Sequence, residues 1–191
     1  MLNENFISKI LSIILTIVLF FSSIKFFMKK EFSLVFYVVF VYIVYIILLY
    51  FEYRKKYKIQ PYIKILLVSA IIIDVVWGFY LDLYDTSSWF DKLLHLFGCF
   101  CFTLVFVSII HSRVKILSPS KTIIFIFITS LGVASGVFYE LIEFVLDIVI
   151  KTKTQNGLVD TNLDLLFDTF GSMAAACLIL YRKVGIYIQN K

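Results

Sequence analysis

Two histidines and thirteen acidic residues are the groups in this chain best able to move a proton or hold a metal ion. Ten of the acids lie between Asp74 and Asp168, and their spacing says more than their number. Residues three or four apart share one face of a helix. Asp74, Gly78 and Asp82 form one such stripe, with Asp85 just beyond. Asp91 and His95 form a second, which Gly98 continues. Gly132, Gly136, Glu140, Glu143 and Asp147 form a third; Asp160, Asp164, Asp168 and Gly171 form a fourth. Asp91 beside His95 is the pattern of an oriented acid–base pair or of two metal ligands. Glu140, Glu143 and Asp147 offer hard oxygen atoms suited to Mg²⁺, Mn²⁺ or Ca²⁺, and a histidine among them would also suit Zn²⁺. On this reading His95, Asp91 and Glu140 are the candidate catalytic residues. Asp74, Glu140, Glu143, Asp164 and Asp168 are the candidate ligands of a divalent metal.

The elements that must position these groups are membrane-spanning helices. The chain is 61% hydrophobic, 18% aromatic and only 16% charged. A soluble domain is about 45–50% apolar and about 25% charged, so too few polar side chains remain here to cover a water-facing surface. Six apolar runs reach the roughly 20 residues needed to cross a bilayer, at about 6–28, 33–52, 62–83, 91–111, 121–150 and 163–182. They are continuous rather than alternating, which predicts helices and not barrel strands. The expected fold is therefore an all-α integral membrane bundle of six helices in one domain, 1–191, with a functional core at about 62–182. No small-x-small cleavage site follows the first run, so it reads as a retained span. Pro61 and Pro119 fall in connections. Cys99, Cys101 and Cys177 lie inside apolar runs without metal-ligand spacing and read as small packing residues.

Basic residues set the orientation. Arg54, Lys55, Lys56 and Lys58 follow span two; Arg113, Lys115 and Lys121 lie between spans four and five; Arg182, Lys183 and Lys191 form the tail. Lys29, Lys30, Lys92, Lys151 and Lys153 lie on the other side. The positive-inside rule places both termini in the cytoplasm. The net charge of +5 thus reports topology, and no nucleic-acid partner is expected.

With that orientation, all four acidic stripes reach the extracytoplasmic half of the bilayer. An ionised carboxylate at mid-bilayer costs about 2.5–3.5 kcal/mol or more, so these acids must face one another, water, a cation, or Lys92 and Lys151. Carboxylates gathered together cannot all stay charged without a cation, so some should hold a proton or bind metal. Gly132, Gly136, Gly171 and Ala175 would let the helices approach closely below them. The structural alternatives are plain: Asp160 and Asp164 suit the first turns of a helix, Asp147 is shallow enough to be solvated, and His111 reads as interfacial.

The segment Trp89-Phe-Asp-Lys-Leu-Leu-His95-Leu-Phe-Gly98 resembles the Asp-Lys-x-x-His signature of VanZ-like membrane proteins. It is more similar still to the YjdF-like branch of inner-membrane proteins. Gly136-Val-Phe-Tyr-Glu140-Leu-Ile-Glu143, Asp160-Thr-Asn-Leu-Asp164-Leu and Gly171 agree in order. VanZ-like proteins often carry Asn at the position of Asp168 and Gln after the glutamate of span five, so the YjdF-like branch fits better. The resemblance implies a multi-pass protein of the bacterial inner (plasma) membrane and, through VanZ itself, a link to glycopeptide resistance. Three functions are compatible with these residues. One is a metal-dependent enzyme acting on a lipid or lipid-linked envelope precursor. Another is a proton-coupled transporter. The third is a non-catalytic resistance or ligand-binding protein whose outer, acidic pocket takes a lipid or a cationic ligand. The sequence is silent on oligomeric state.

Overall fold

The computed structural model describes residues 4–54, 57–112, 116–117, 120–149, 154–182 and 186–187. Lys55, Lys56, Arg113, Lys115, Pro119, Lys151, Lys153, Lys183 and Lys191, used above for orientation, connection or counter-charge, lie outside them. The chain is a helical, multi-pass membrane protein. Six helices are long and apolar enough to cross a bilayer: α1 (Glu4–Met28), α2 (Phe32–Tyr53), α3 (Pro61–Tyr80), α5 (Phe90–His111), α6 (Lys121–Val149) and α7 (Leu158–Arg182). A single short turn, α4 (Leu83–Thr86), follows α3. The expected spans are all present, and α7 begins five residues before its apolar run, taking in Asp160. The helices fall into two compact units, Met1–Phe90 and Asp91–Lys191.

In the first unit, α1 ends in a Schellman turn: Lys30 adopts φ 64° and the Glu31 N–H donates to the Phe26 carbonyl at 2.9 Å. Two polar contacts tie α1 to α2, Ser12 to the Tyr45 hydroxyl at 3.1 Å and Thr16 to that of Tyr42 at 2.9 Å. Pro61 opens α3 at the first helical position, where its missing N–H costs nothing. From Ile73 to Tyr80 this helix widens to π geometry, and the Leu81 N–H reaches back five residues to Val76 at 2.8 Å. That widening overturns one sequence expectation. A π-helix has more residues per turn than the 3.6 behind an interval-of-four stripe, and Asp82 leaves the helix in a left-handed conformation, φ 59°. Asp74, Gly78 and Asp82 therefore do not form one helical face. Gly78 instead makes room for the rings of Tyr84 and Phe90.

The second unit is a three-helix assembly of α5, α6 and α7. Its helices touch through the small residues. A side chain at Gly171 would strike the Leu96 carbonyl of α5. One at Gly132 would strike Thr103 and Ser172, and one at Gly136 would strike the Asp168 carboxyl. Gly98 differs: nothing lies within 4 Å of a Cβ placed there, so it lies away from the contact that Asp91 and His95 make. At the end of the unit remote from the acids, β1 (Ile116–Leu117) pairs in parallel with β2 (Ile186–Tyr187). This puts Ile116–Leu117, between α5 and α6, and Ile186–Tyr187, after α7, at one end of the unit.

Candidate functional site

The start of α5, the last third of α6 and the start of α7 meet at one end of the second unit, and they bring six carboxyl groups together. Asp91 and His95 come from the first turns of α5, Glu140 and Glu143 from α6, and Asp160, Asp164 and Asp168 from α7. The loop before α7 is fastened by Asp147, whose carboxylate accepts from the Thr154 and Gln155 N–H groups (both 3.0 Å) and from the Thr154 hydroxyl at 2.8 Å. The Asn156 N–H donates to Asp160 at 3.1 Å, so the first turn of α7 also holds the loop before it. Asp147 thus works as a loop fastener. The same fastening delivers Gln155 into the cluster, where its side-chain amide donates to the Glu140 carbonyl at 3.1 Å and to Glu140 Oε2 at 3.0 Å.

Two substructures can be told apart. The first surrounds Lys92, only 5% exposed. Its ammonium lies 2.9 Å from Asp91 Oδ2 and 2.9 Å from Asp164 Oδ1, and it also binds Asp160. An ammonium has three N–H donors, and each finds a carboxylate here. Asp160, explicable from sequence by the helix dipole alone, is thereby a partner of Lys92.

The second surrounds His95, 8% exposed. Its Nδ1 lies 3.3 Å from Asp168 Oδ1. Its Nε2 lies 3.7 Å from both Asp91 Oδ1 and Glu140 Oε1. The Tyr139 ring packs edge-on against the imidazole, centroids 5.5 Å apart. An Nδ1–H donated to Asp168 fixes the ring and leaves the Nε2 lone pair pointing at carboxylate oxygens. A lone pair facing carboxylates is repulsive unless a proton or a cation lies between them. The 3.7 Å separations are too long for hydrogen bonds. They suit a shared ion: metal–ligand bonds of about 2.0–2.2 Å put neighbouring ligand atoms about 3–4 Å apart.

Burial sharpens the point. Glu140 is 4% exposed and Asp168 2%. Glu140 Oε1 and Asp168 Oδ2 have no hydrogen-bond partner among the described residues. An unsatisfied buried acceptor costs about 1–3 kcal/mol, more when it is charged. For Asp168 the geometry is explained by the bare backbone of Gly136, against which its carboxyl packs. For Glu140, Oε1 is aimed at His95. Ligand atoms of His95, Glu140 and Glu143 lie within 4.8 Å of one another, and so do those of Asp91, His95 and Asp164. These are the two groups able to hold a metal ion among the described residues.

Of the residues expected from sequence, Asp91, His95, Glu140, Glu143, Asp164 and Asp168 are assembled here. Asp74 belongs to the first unit, where the Tyr37 and Tyr84 hydroxyls donate to its two oxygens at 2.5 and 2.7 Å. Sequence reading missed Gln155, whose loop position carries no motif. It also read Cys99 as packing alone, whereas its thiol lies 3.1 Å from the Ser172 hydroxyl and 3.2 Å from the Gly132 carbonyl.

Depth follows from helix rise. Asp168 precedes Arg182 by 14 residues, His95 precedes His111 by 16, and Glu140 follows Lys121 by 19. At 1.5 Å per residue these are about 21, 24 and 28 Å from the opposite ends of their helices. With those opposite ends set at one boundary of a hydrocarbon layer about 30 Å thick, the cluster would lie within about 10 Å of the other.

Comparison with known proteins places the chain in a family. The profile of the family described as "Predicted membrane protein (DUF2238)" matches residues 7–184. A Thermotoga maritima protein described as "Uncharacterized protein" is 32% identical over 137 residues, covering 71% of this chain and 70% of that one. No solved structure matches. The chain belongs to this membrane protein family.

Proposed function

We propose that this member of the predicted membrane protein (DUF2238) family is a cation-dependent enzyme acting on a lipid or lipid-linked envelope substrate. His95, Glu140 and Glu143 hold one divalent ion, and Asp168 orients the imidazole. The observation that carries this reading is the pair of 3.7 Å separations from His95 Nε2 to Asp91 and Glu140, with Glu140 Oε1 buried and otherwise without a hydrogen-bond partner. The depth of the cluster, within about 10 Å of one membrane boundary, suits a headgroup or a lipid-linked phosphate and not an acyl chain. Lys92, the one lysine of the cluster among the described residues, is fully engaged by carboxylates, so a phosphate would have to be neutralised by the ion. The bound ion would supply Lewis acidity; Asp91, whose Oδ1 faces His95, is the group placed to take a proton. Resemblance to VanZ-like and YjdF-like proteins supports an envelope role and leaves the reaction open.

A second reading is favoured by the excess of carboxyl groups over positive groups among the described residues of the cluster: a non-catalytic site that captures a cationic ligand or headgroup. One experiment separates the two. Protein purified without chelator is assayed for divalent metal content and, with Mg²⁺ or Mn²⁺, for phosphate release from polyprenyl and glycerolipid phosphates. The enzyme reading expects about one ion per chain and turnover lost in Glu140→Gln. A metal-free, inactive protein that binds cationic amphiphiles would establish the second reading instead.

A further inference from the structure

We infer that Lys92 is a built-in cation that fills the Asp91–Asp164 half of the cluster and restricts the protein to a single divalent ion, held by His95, Glu140 and Glu143. This rests on the cation site proposed above and says how many ions that site takes and which carboxylates bind them.

The two metal-capable groups share His95 and differ in everything else. Asp91, His95 and Asp164 form one; His95, Glu140 and Glu143 form the other. Carboxylate-rich sites with two such groups commonly hold two metal ions about 3.5–4 Å apart. Here the first group already has a positive charge between its carboxylates. Lys92 Nζ lies 2.9 Å from Asp91 and 2.9 Å from Asp164, with Asp160 as its third acceptor. An ammonium with three carboxylate partners occupies the space and supplies the charge that an ion there would supply. It would also repel a divalent ion placed among the same oxygens. Among the described residues, no lysine or arginine pairs with Glu140 or Glu143 of the second group. Glu140 Oε2 is steadied by Gln155, while Oε1 is nearly sealed from solvent, has no hydrogen-bond partner among the described residues, and points at His95 Nε2. One half is satisfied by the chain itself, and the other requires something from outside.

The probe is Mn²⁺ alone, bound to the full chain in lipid nanodiscs and followed by equilibrium dialysis and electron paramagnetic resonance. Wild type and Lys92→Arg are expected to bind one Mn²⁺ per chain. Lys92→Gln is expected to bind two, with the dipolar broadening of a close Mn²⁺ pair. One ion in both wild type and Lys92→Gln overturns the inference while leaving the cation site standing; two ions in wild type overturn it as well. No ion in any form overturns both. Should Lys92→Gln fail to fold, substitutions in the lysine-containing protein decide the matter. Asp164→Asn is expected to change Mn²⁺ affinity by less than roughly tenfold, and Glu143→Gln to weaken it by roughly a hundredfold. The reverse order would put the ion in the Lys92 half and sink the inference.

Discussion

Both units bury charge in a membrane, and they do so in opposite ways. In the first, Lys64 is buried against Glu52 at 2.8 Å and donates to Ser8 at 2.8 Å, while Glu52 also accepts from the Ile59 N–H at 3.0 Å. Asp74 has a tyrosine hydroxyl on each oxygen. Every one of these buried charges is met by a partner from the same unit. In the second, Asp91, Glu140, Glu143, Asp160, Asp164 and Asp168 share one ammonium and one imidazole among the described residues. A charge set that closes on itself stabilises a fold and needs nothing further. One left with surplus negative charge, in a medium where charge is costly, calls for protons or a cation. The contrast supports placing the proposed cation site in the second unit more than any count of acidic residues does.

The comparison breaks if the first unit's pairs prove dispensable. Lys64→Met leaves Glu52 buried without its ammonium, and the expected loss is about 3–5 kcal/mol, with Lys64→Met/Glu52→Leu recovering most of it. Reversible unfolding in mixed detergent measures both; a neutral single mutant would mean that the pair is hydrated. Next in size is Asp74→Leu, which removes the acceptor of two phenols and should cost about 1–3 kcal/mol. Its Mn²⁺ affinity should stay within roughly threefold of wild type, less than one kcal/mol. A larger loss of Mn²⁺ affinity would return Asp74 to the ligand set that its sequence position first indicated. Helix contact gives a third test. Gly171→Ala thrusts a methyl at the Leu96 carbonyl and should destabilise by about 1–3 kcal/mol. The smallest effect is expected at Gly98, where a methyl meets nothing: Gly98→Ala should gain up to about 1 kcal/mol from helix propensity. A destabilising Gly98→Ala would show that this face is covered.

Much of this was legible because lipid imposes strong rules. Continuous apolar runs gave the six helices, and intervals of three and four placed Glu140 with Glu143 and Asp164 with Asp168. The orientation argument brought the start of span four, the end of span five and the start of span six to the same level. What escaped depends on geometry that no spacing encodes. The π-turn in α3 removes Asp82 from the stripe it forms on paper, because the interval of four assumes an ordinary α-helix. Gln155 enters the cluster through a loop that Asp147 holds, a contact eight residues back that has no periodicity. Lys92 was visible as a counter-charge in general, but its selective hold on Asp91, Asp160 and Asp164 needed the arrangement of α5 against α7.

A divalent ion seated on His95 can be detected directly. With Mn²⁺ bound to the full chain, electron spin echo modulation reports any nitrogen coordinated to the metal, and His111, the other histidine, lies at the far end of α5. The expected result is modulation from one histidine nitrogen that shifts on ¹⁵N-histidine labelling and vanishes in His95→Gln. Bound Mn²⁺ with no histidine modulation, or modulation that persists in His95→Gln, would contradict it.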